Sequence, residues 1–200
     1  RLAARGRICC GVHHFVALRQ DGSIVTWGKS DENQRTDTPT DAGYVSIAAG
    51  NGHSVALHKD GHVVAWGYDV ENQRNAAPTD TGYVAIACGQ LHSAALCEDG
   101  RVVIWGTNDS TLPIDSTTTN PEYAAITAGS YHTVALGKDG RVAVWKHDRT
   151  DEQENFVSPT DSVYVAIAAG AFHSVALRQD GRVVTWGRDC LHNDEPTDAG

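Results

Sequence analysis

Residues 44–67 read Tyr44-Val45-Ser46-Ile47-Ala48-Ala49-Gly50-Asn51-Gly52-His53-Ser54-Val55-Ala56-Leu57-His58-Lys59-Asp60-Gly61-His62-Val63-Val64-Ala65-Trp66-Gly67. Short runs rich in Val, Ile, Tyr and Trp, punctuated by Gly50 and by Asp60-Gly61, have the composition of strands, and no helical period runs through them. The Asp-Gly pair lies between two apolar runs, where glycine supplies the positive φ of a tight hairpin. The stretch therefore reads as an antiparallel meander of three strands. The polar segment that follows, like Ser30 to Arg35 one unit earlier, is a candidate for a short outer fourth strand.

The same string returns along the chain. Its glycine recurs at Gly11, Gly50, Gly89, Gly129 and Gly170, in steps of 39, 39, 40 and 41 residues. All five tryptophans, Trp27, Trp66, Trp105, Trp145 and Trp186, fall on one repeat position, which predicts a shared place in blade-to-blade contacts. One such sheet cannot bury both faces alone, so equal copies must stack, and antiparallel units of about 40 residues point to an all-β architecture, a β-propeller of five repeats. The units run over 4–43, 44–82, 83–122, 123–163 and 164–200, the last together with 5–10, all in a single domain. Ile8 shares its phase with Ile47, Ile86, Ile126 and Ile167, so residues 5–10 are expected to enter the blade of Trp186 as a strand and close the ring. The 200 residues contain no methionine, not even at position 1, which fits a processed product or a piece of something longer.

A chain of 200 residues that is 40% hydrophobic can bury a sizeable core. Its formal charge of −9 disfavours nucleic-acid binding by direct charge attraction and disfavours anionic membrane surfaces. No apolar run approaches the roughly 20 residues of a membrane span. Five cysteines, an odd number with no Cys-x-x-Cys, argue against a disulfide framework or a zinc motif and favour a reducing, cytoplasmic setting. Cys10 and Cys88 stand where other units have alanine, as small fillers near the axis. Of ten histidines, His14, His53, His92, His132 and His173 share one repeat position; a ring nitrogen there is expected to bond the backbone of the next blade. A ring of blades holds such residues one blade apart, too far for shared metal ligation, so no metal and no cofactor are expected. Nucleophile-elbow, zinc-protease, phosphate-loop and dinucleotide motifs are absent, and the chain is expected not to be an enzyme.

Strand direction sorts the faces of the disc. The dipeptides between the repeated Gly and His share one rim, here called the top, with the residues just past Trp-Gly. The Asp-Gly hairpins and the Pro-Thr-Asp segments share the bottom, which reads as scaffold. The dipeptides are the most varied part of the motif: Val12-His13, Asn51-Gly52, Gln90-Leu91, Ser130-Tyr131 and Ala171-Phe172. Leu91, Tyr131 and Phe172, with Tyr68 and His13 beside them, are the candidate anchors for a partner, because a purely structural role would not require them to differ. The segment from Asp109 to Asn120 has lost the repeat pattern and reads as a loop.

The string Gly-x-x-His-Ser-Val-Ala-Leu-x-x-Asp-Gly-x-Val-x-x-Trp-Gly, with Glu-Asn-Gln-Arg at 32–35 and 71–74, resembles the repeat of the regulator of chromosome condensation family over nearly the whole chain. The short period is similar to that of its compact branch, typified by β-lactamase-inhibitory protein II. The resemblance implies a rigid disc that binds a protein partner through one face, and the chain is expected to be a monomer. Two alternatives stay open: guanine-nucleotide exchange on a small GTPase, which in the family depends on a protruding wedge that no unit here is long enough to offer, and carbohydrate binding, for which equal aromatics in every blade would be expected. Two features depart from the family pattern. The chain has five units rather than the usual seven, and Lys146 stands where the other units have glycine after Trp.

Overall fold

The computed structural model describes residues 7–106, 122–147 and 159–187. The connector from Asp109 to Asn120 and Cys190 lie outside them. The first blade contains β1 (Ile8–Cys10), β2 (His14–Leu18) and β3 (Ile24–Gly28), and the second β4 (Tyr44–Ala49), β5 (His53–His58) and β6 (Val63–Gly67). The third comprises β7 (Tyr83–Cys88), β8 (Ser93–Cys97) and β9 (Val102–Trp105), and the fourth β10 (Tyr123–Ala128), β11 (His132–Gly137) and β12 (Val142–Lys146). The fifth contains β13 (Tyr164–Ala169), β14 (His173–Arg178) and β15 (Val183–Gly187). Each set is an antiparallel three-stranded sheet in sequence order, and together they make an all-β, five-bladed propeller arrangement. Among the described residues there is no helix long and apolar enough to cross a membrane.

Side-chain chemistry fixes the local form. In each hairpin the Asp carboxylate accepts the backbone N–H two residues on, at 3.1 Å from His62 to Asp60 and 3.0 Å from Arg101 to Asp99. The inner strands β4, β7, β10 and β13 each carry a register shift after their tyrosine, a bulge that sets the ring apart from the ladder. Tyr44 and Tyr83 then donate their hydroxyls to Asp41 and Asp80, three residues earlier, at 2.9 and 2.6 Å. No fourth strand forms at residues 31–37 or 70–77, which are turns with Asn33 and Asn72 at φ of 64° and 58°. Those turns have another use: the carbonyls of Gln34 and Gln73 accept the indole N–H of the next blade's Trp66 and Trp105, at 3.0 and 2.9 Å.

The core is one interface repeated. Val16, Leu18 and Ile24 of the first blade pack on Tyr44, Ile47, Ala56 and Trp66 of the second. Val55, Leu57 and Val63 meet Tyr83, Ala95 and Trp105, and Val134, Leu136 and Val142 meet Tyr164, Ala176 and Trp186 in the same way. At the top, backbone bonds link Val12 to Asn51, Asn51 to Gln90, Gln90 to Ser130 and Ser130 to Ala171, at 2.9–3.2 Å. Close approach demands glycine here: a Cβ on Gly50 would strike both the His53 ring and the Gly89 carbonyl.

The expectation that residues 5–10 enter the last blade is not met. β1 pairs with β2, Cys9 opposite Val16, because the three residues 11–13 let it fold back on its own successor as every other inner strand does. Among the described residues no fifth backbone bond joins Ala171 to Val12. Among the described residues, then, no strand pairing or backbone bond joins the two end faces, and they are unlike. Blade one exposes Ile8, Phe15 and Trp27, and blade five exposes His173 and Leu177. Trp27 is thus a correction to the expected core tryptophans: it is 44% exposed and stacked on Phe15, since no blade lies in front of it, whereas Trp66 is 1% exposed.

Candidate functional site

The top rim is built by turns whose ends the blades hold. In the first, second and fourth blades the second residue after the Trp bonds back to the dipeptide, Lys29 N–H to His13 O at 2.9 Å, Tyr68 to Gly52 at 3.0 Å and His147 to Tyr131 at 2.8 Å. The two residues of each dipeptide divide the work. The first ones, Val12, Asn51, Gln90, Ser130 and Ala171, surround an axial depression of about 620 Å³, floored by the repeated glycines and by Cys10, Ala49, Cys88, Ala128 and Ala169. Both cysteines therefore stand near the axis as small residues, Cys10 exposed and Cys88 half-buried.

Of the second residues, only Phe172 lines the depression, and the structure brings two of the five candidate anchors together. The Tyr131 and Phe172 rings stack with centroids 5.7 Å apart, Phe172 also bordering the depression. Leu91 and Tyr68 are half-buried and His13 is exposed. Glu32 and Tyr68 both crowd Gly52, where a Cβ would meet Glu32 Oε2 at 2.6 Å and the Tyr68 Cβ at 3.1 Å, so these two side chains occupy the space that other blades fill from the dipeptide. Sequence reasoning missed Asn51, Gln90 and Ser130. The signal was present, since these three are the polar first members of their pairs, but the sequence does not show which member faces the axis.

Beneath the rim, the repeated histidines bond side chains rather than the expected backbone. His14 Nε2 meets Ser54 Oγ at 2.7 Å, His53 meets Ser93 at 2.9 Å, His92 meets Thr133 at 3.0 Å and His132 meets Ser174 at 2.7 Å. Each hydroxyl belongs to the following blade. Thr133 also meets His147 Nε2 at 2.9 Å, so its hydroxyl bridges the two rings. Burial pushes His53, His132 and His147 down to about 4, with a neighbouring histidine adding to the effect in each case. These rings are neutral struts between blades. Among the described residues, metal-ligating atoms gather within 4.8 Å only at the opposite rim, at His58, Asp60 and His62.

The depression offers an uncharged lining of amide, hydroxyl and aromatic groups on a rigid base, with charged groups such as Lys29 and Asp31 set on the rim around it. Such a surface can bury a partner's apolar and hydrogen-bonding groups together.

The structures this chain resembles share that architecture. The ectodomain of the Arabidopsis thaliana receptor kinase ACR4, described as a CRINKLY WD40 ectodomain, matches with a TM-score of 0.72 at 20% identity, over 90% of this chain and 64% of that one. Human WBSCR16 matches with a TM-score of 0.69 at 18% identity, over 90% and 61%. Prp20p from Saccharomyces cerevisiae matches with a TM-score of 0.67 at 22% identity, over 88% and 56%. The chain therefore spans between half and two thirds of the length of these structures. No curated protein matches the sequence. The pattern described as the regulator of chromosome condensation (RCC1) repeat fits residues 7–34, 44–73, 83–110 and 164–192. With that repeat over more than half of its length, in four of the five blades, the chain belongs to the regulator of chromosome condensation repeat family.

Proposed function

We propose that the chain is a non-enzymatic protein-interaction module whose top face receives a protein partner. The observation that carries this reading is the stacked Tyr131–Phe172 pair on the rim of the axial depression, an aromatic anchor set beside the uncharged groups of Asn51, Gln90 and Ser130. Aromatic side chains at the centre of a contact surface supply most of its energy, and neighbouring polar groups set orientation. Leu91, Tyr68 and His13 extend the same face. The family supports the reading by analogy: yeast RCC1 (Prp20) has been solved bound to Kap60, and Prp20p is described with its binding properties to Gsp1p and histones.

The test is a photo-crosslinking residue placed at position 91 on the top rim, with a second at position 59 on the bottom as control. A protein captured from 91 alone is purified and its affinity measured for the native chain and for Tyr131→Ser/Phe172→Ser. The double variant should bind at least about thirty-fold more weakly, as loss of two anchors implies, with an unchanged melting temperature. Equal affinity in the double variant, or capture from position 59 instead, refutes the top-face assignment.

A further inference from the structure

The five hairpins share an Asp-Gly turn, but its flanks differ. They are Arg19 and Ser23, Cys97 and Arg101, Gly137 and Arg141, and Arg178 and Arg182 in four blades, and two histidines, His58 and His62, in the second. Where arginine is present it pairs with the turn carboxylate, Arg101 Nε at 2.6 Å from Asp99 and Arg178 Nε at 3.4 Å from Asp180. In the second blade two imidazoles converge on one carboxylate. His58 Nδ1 is 2.8 Å and His62 Nδ1 2.6 Å from the same Asp60 oxygen, and the two rings lie stacked with centroids 4.5 Å apart.

His58 Nε2 lies 3.2 Å from the Ala42 carbonyl oxygen, which can only accept, so Nε2 carries the proton and a neutral ring has a bare lone pair on Nδ1. That Nδ1 is buried and makes no hydrogen bond, and it faces a carboxylate that also only accepts. A second proton on the His58 ring or a metal ion on Nδ1 would each satisfy this pair, and only the ion can be shared with His62 Nδ1 as well. The surroundings are shaped to hold the ring in this pose. A Cβ at residue 43 would collide with His58 Nε2, whereas at the equivalent Gly82 nothing lies within 4 Å. A carbonyl that receives the distal N–H of an imidazole is also the usual support of a metal-ligating histidine, since it fixes which nitrogen is left to coordinate.

We propose that His58, Asp60 and His62 form a binding site for one divalent transition-metal ion of the zinc class, coordinated by the two Nδ1 atoms and the Asp60 carboxylate, with water completing the sphere. Two imidazoles and a carboxylate suit zinc, copper(II) or nickel(II), whereas calcium and magnesium prefer an all-oxygen set. Opening the present 2.6–2.8 Å separations to admit an ion requires only small side-chain rotations, because Asp60 and His62 stand at the solvent edge. Bound there, the ion closes the β5–β6 hairpin, which hydrogen bonds from His58 Nε2 to Ala42 O and from Lys59 N–H to Gly43 O already tie to the segment entering β4.

The experiment uses the full chain stripped with chelator and titrated calorimetrically with zinc chloride near neutral pH, while the ¹⁵N resonances of the histidine rings are followed by NMR. The expected result is saturable binding at one ion per chain, with the Nδ1 signals of His58 and His62 moving together. His62→Arg restores the residue that the third, fourth and fifth blades carry at this place, so it removes a ligand with little risk to the fold. It should weaken binding by at least about tenfold, by the measure of perturbed metal sites. Asp99→Asn, in the equivalent turn of the third blade, should leave binding unchanged. Absence of saturable binding, shifts confined to other histidines, or full affinity in His62→Arg would overturn the site.

Discussion

Each strut histidine finds a hydroxyl in the next blade, and the residue after it faces the blade before, so Ser54, Ser93, Thr133 and Ser174 receive what the preceding unit offers. His53 and Ser93 are both fully buried, which makes their bond costly to leave half-made. Ser93→Ala removes the acceptor of the His53 ring and should destabilise the protein by about 1–3 kcal/mol, read from urea unfolding. A variant as stable as the native chain would show that the bond holds nothing. The repeated His-Ser and His-Thr pairs were legible in the sequence. The partner atom was not, because spacing along one unit does not say which atom of the next blade stands opposite, and the expected backbone acceptor proved to be a side-chain hydroxyl. Phe15 occupies the hydroxyl position in the first unit, and this single exception already marked a face with no histidine to receive.

Between blades, burial of imidazole ties cohesion to pH. His53, His132 and His147 are held down to about 4, and His92 is pushed well below its ordinary value, chiefly by desolvation. The unfolded chain takes up these protons near pH 6.5 and the folded chain only nearer 4, so between the two the unfolded state binds more protons. Stability is therefore full above about pH 6.5 and declines as pH falls toward 4, at about 1.4 kcal/mol per pH unit for each titrating histidine. Urea midpoints taken between about pH 7 and 4.5 should fall steadily, and a flat profile would contradict neutral struts. Strand order and hairpins followed directly from the period, since Gly, His, Asp-Gly and Trp punctuate every unit and Tyr every unit but the first. The outer fourth strand did not form because Asn33 and Asn72 turn the chain and Gln34 and Gln73 give their carbonyls to indoles, a use that polar composition does not reveal.

Across the whole molecule, five copies of one sheet meet through one kind of interface and leave unlike faces uncovered at the first and fifth blades. The number of blades was legible from the glycine phase, and so was the variability of Leu91, Tyr131 and Phe172 on the top rim. Closure was not, because it depends on how the first and last units meet in space, whereas a repeat describes only neighbours. The bottom turn at His58, Asp60 and His62 was read as scaffold because the Asp-Gly pair is common to all units, although its two flanking histidines are unique to the second. The central claim is a stack with an open first face, and Trp27 is its built-in reporter, at 44% exposure against 1%, 5% and 7% for Trp66, Trp105 and Trp186. The full chain labelled with 5-fluorotryptophan should give five ¹⁹F resonances, and the one removed by Trp27→Phe should be broadened most by a dissolved paramagnetic agent. If that resonance is shielded as well as those of Trp66 and Trp105, the face is covered in solution and the open stack is wrong.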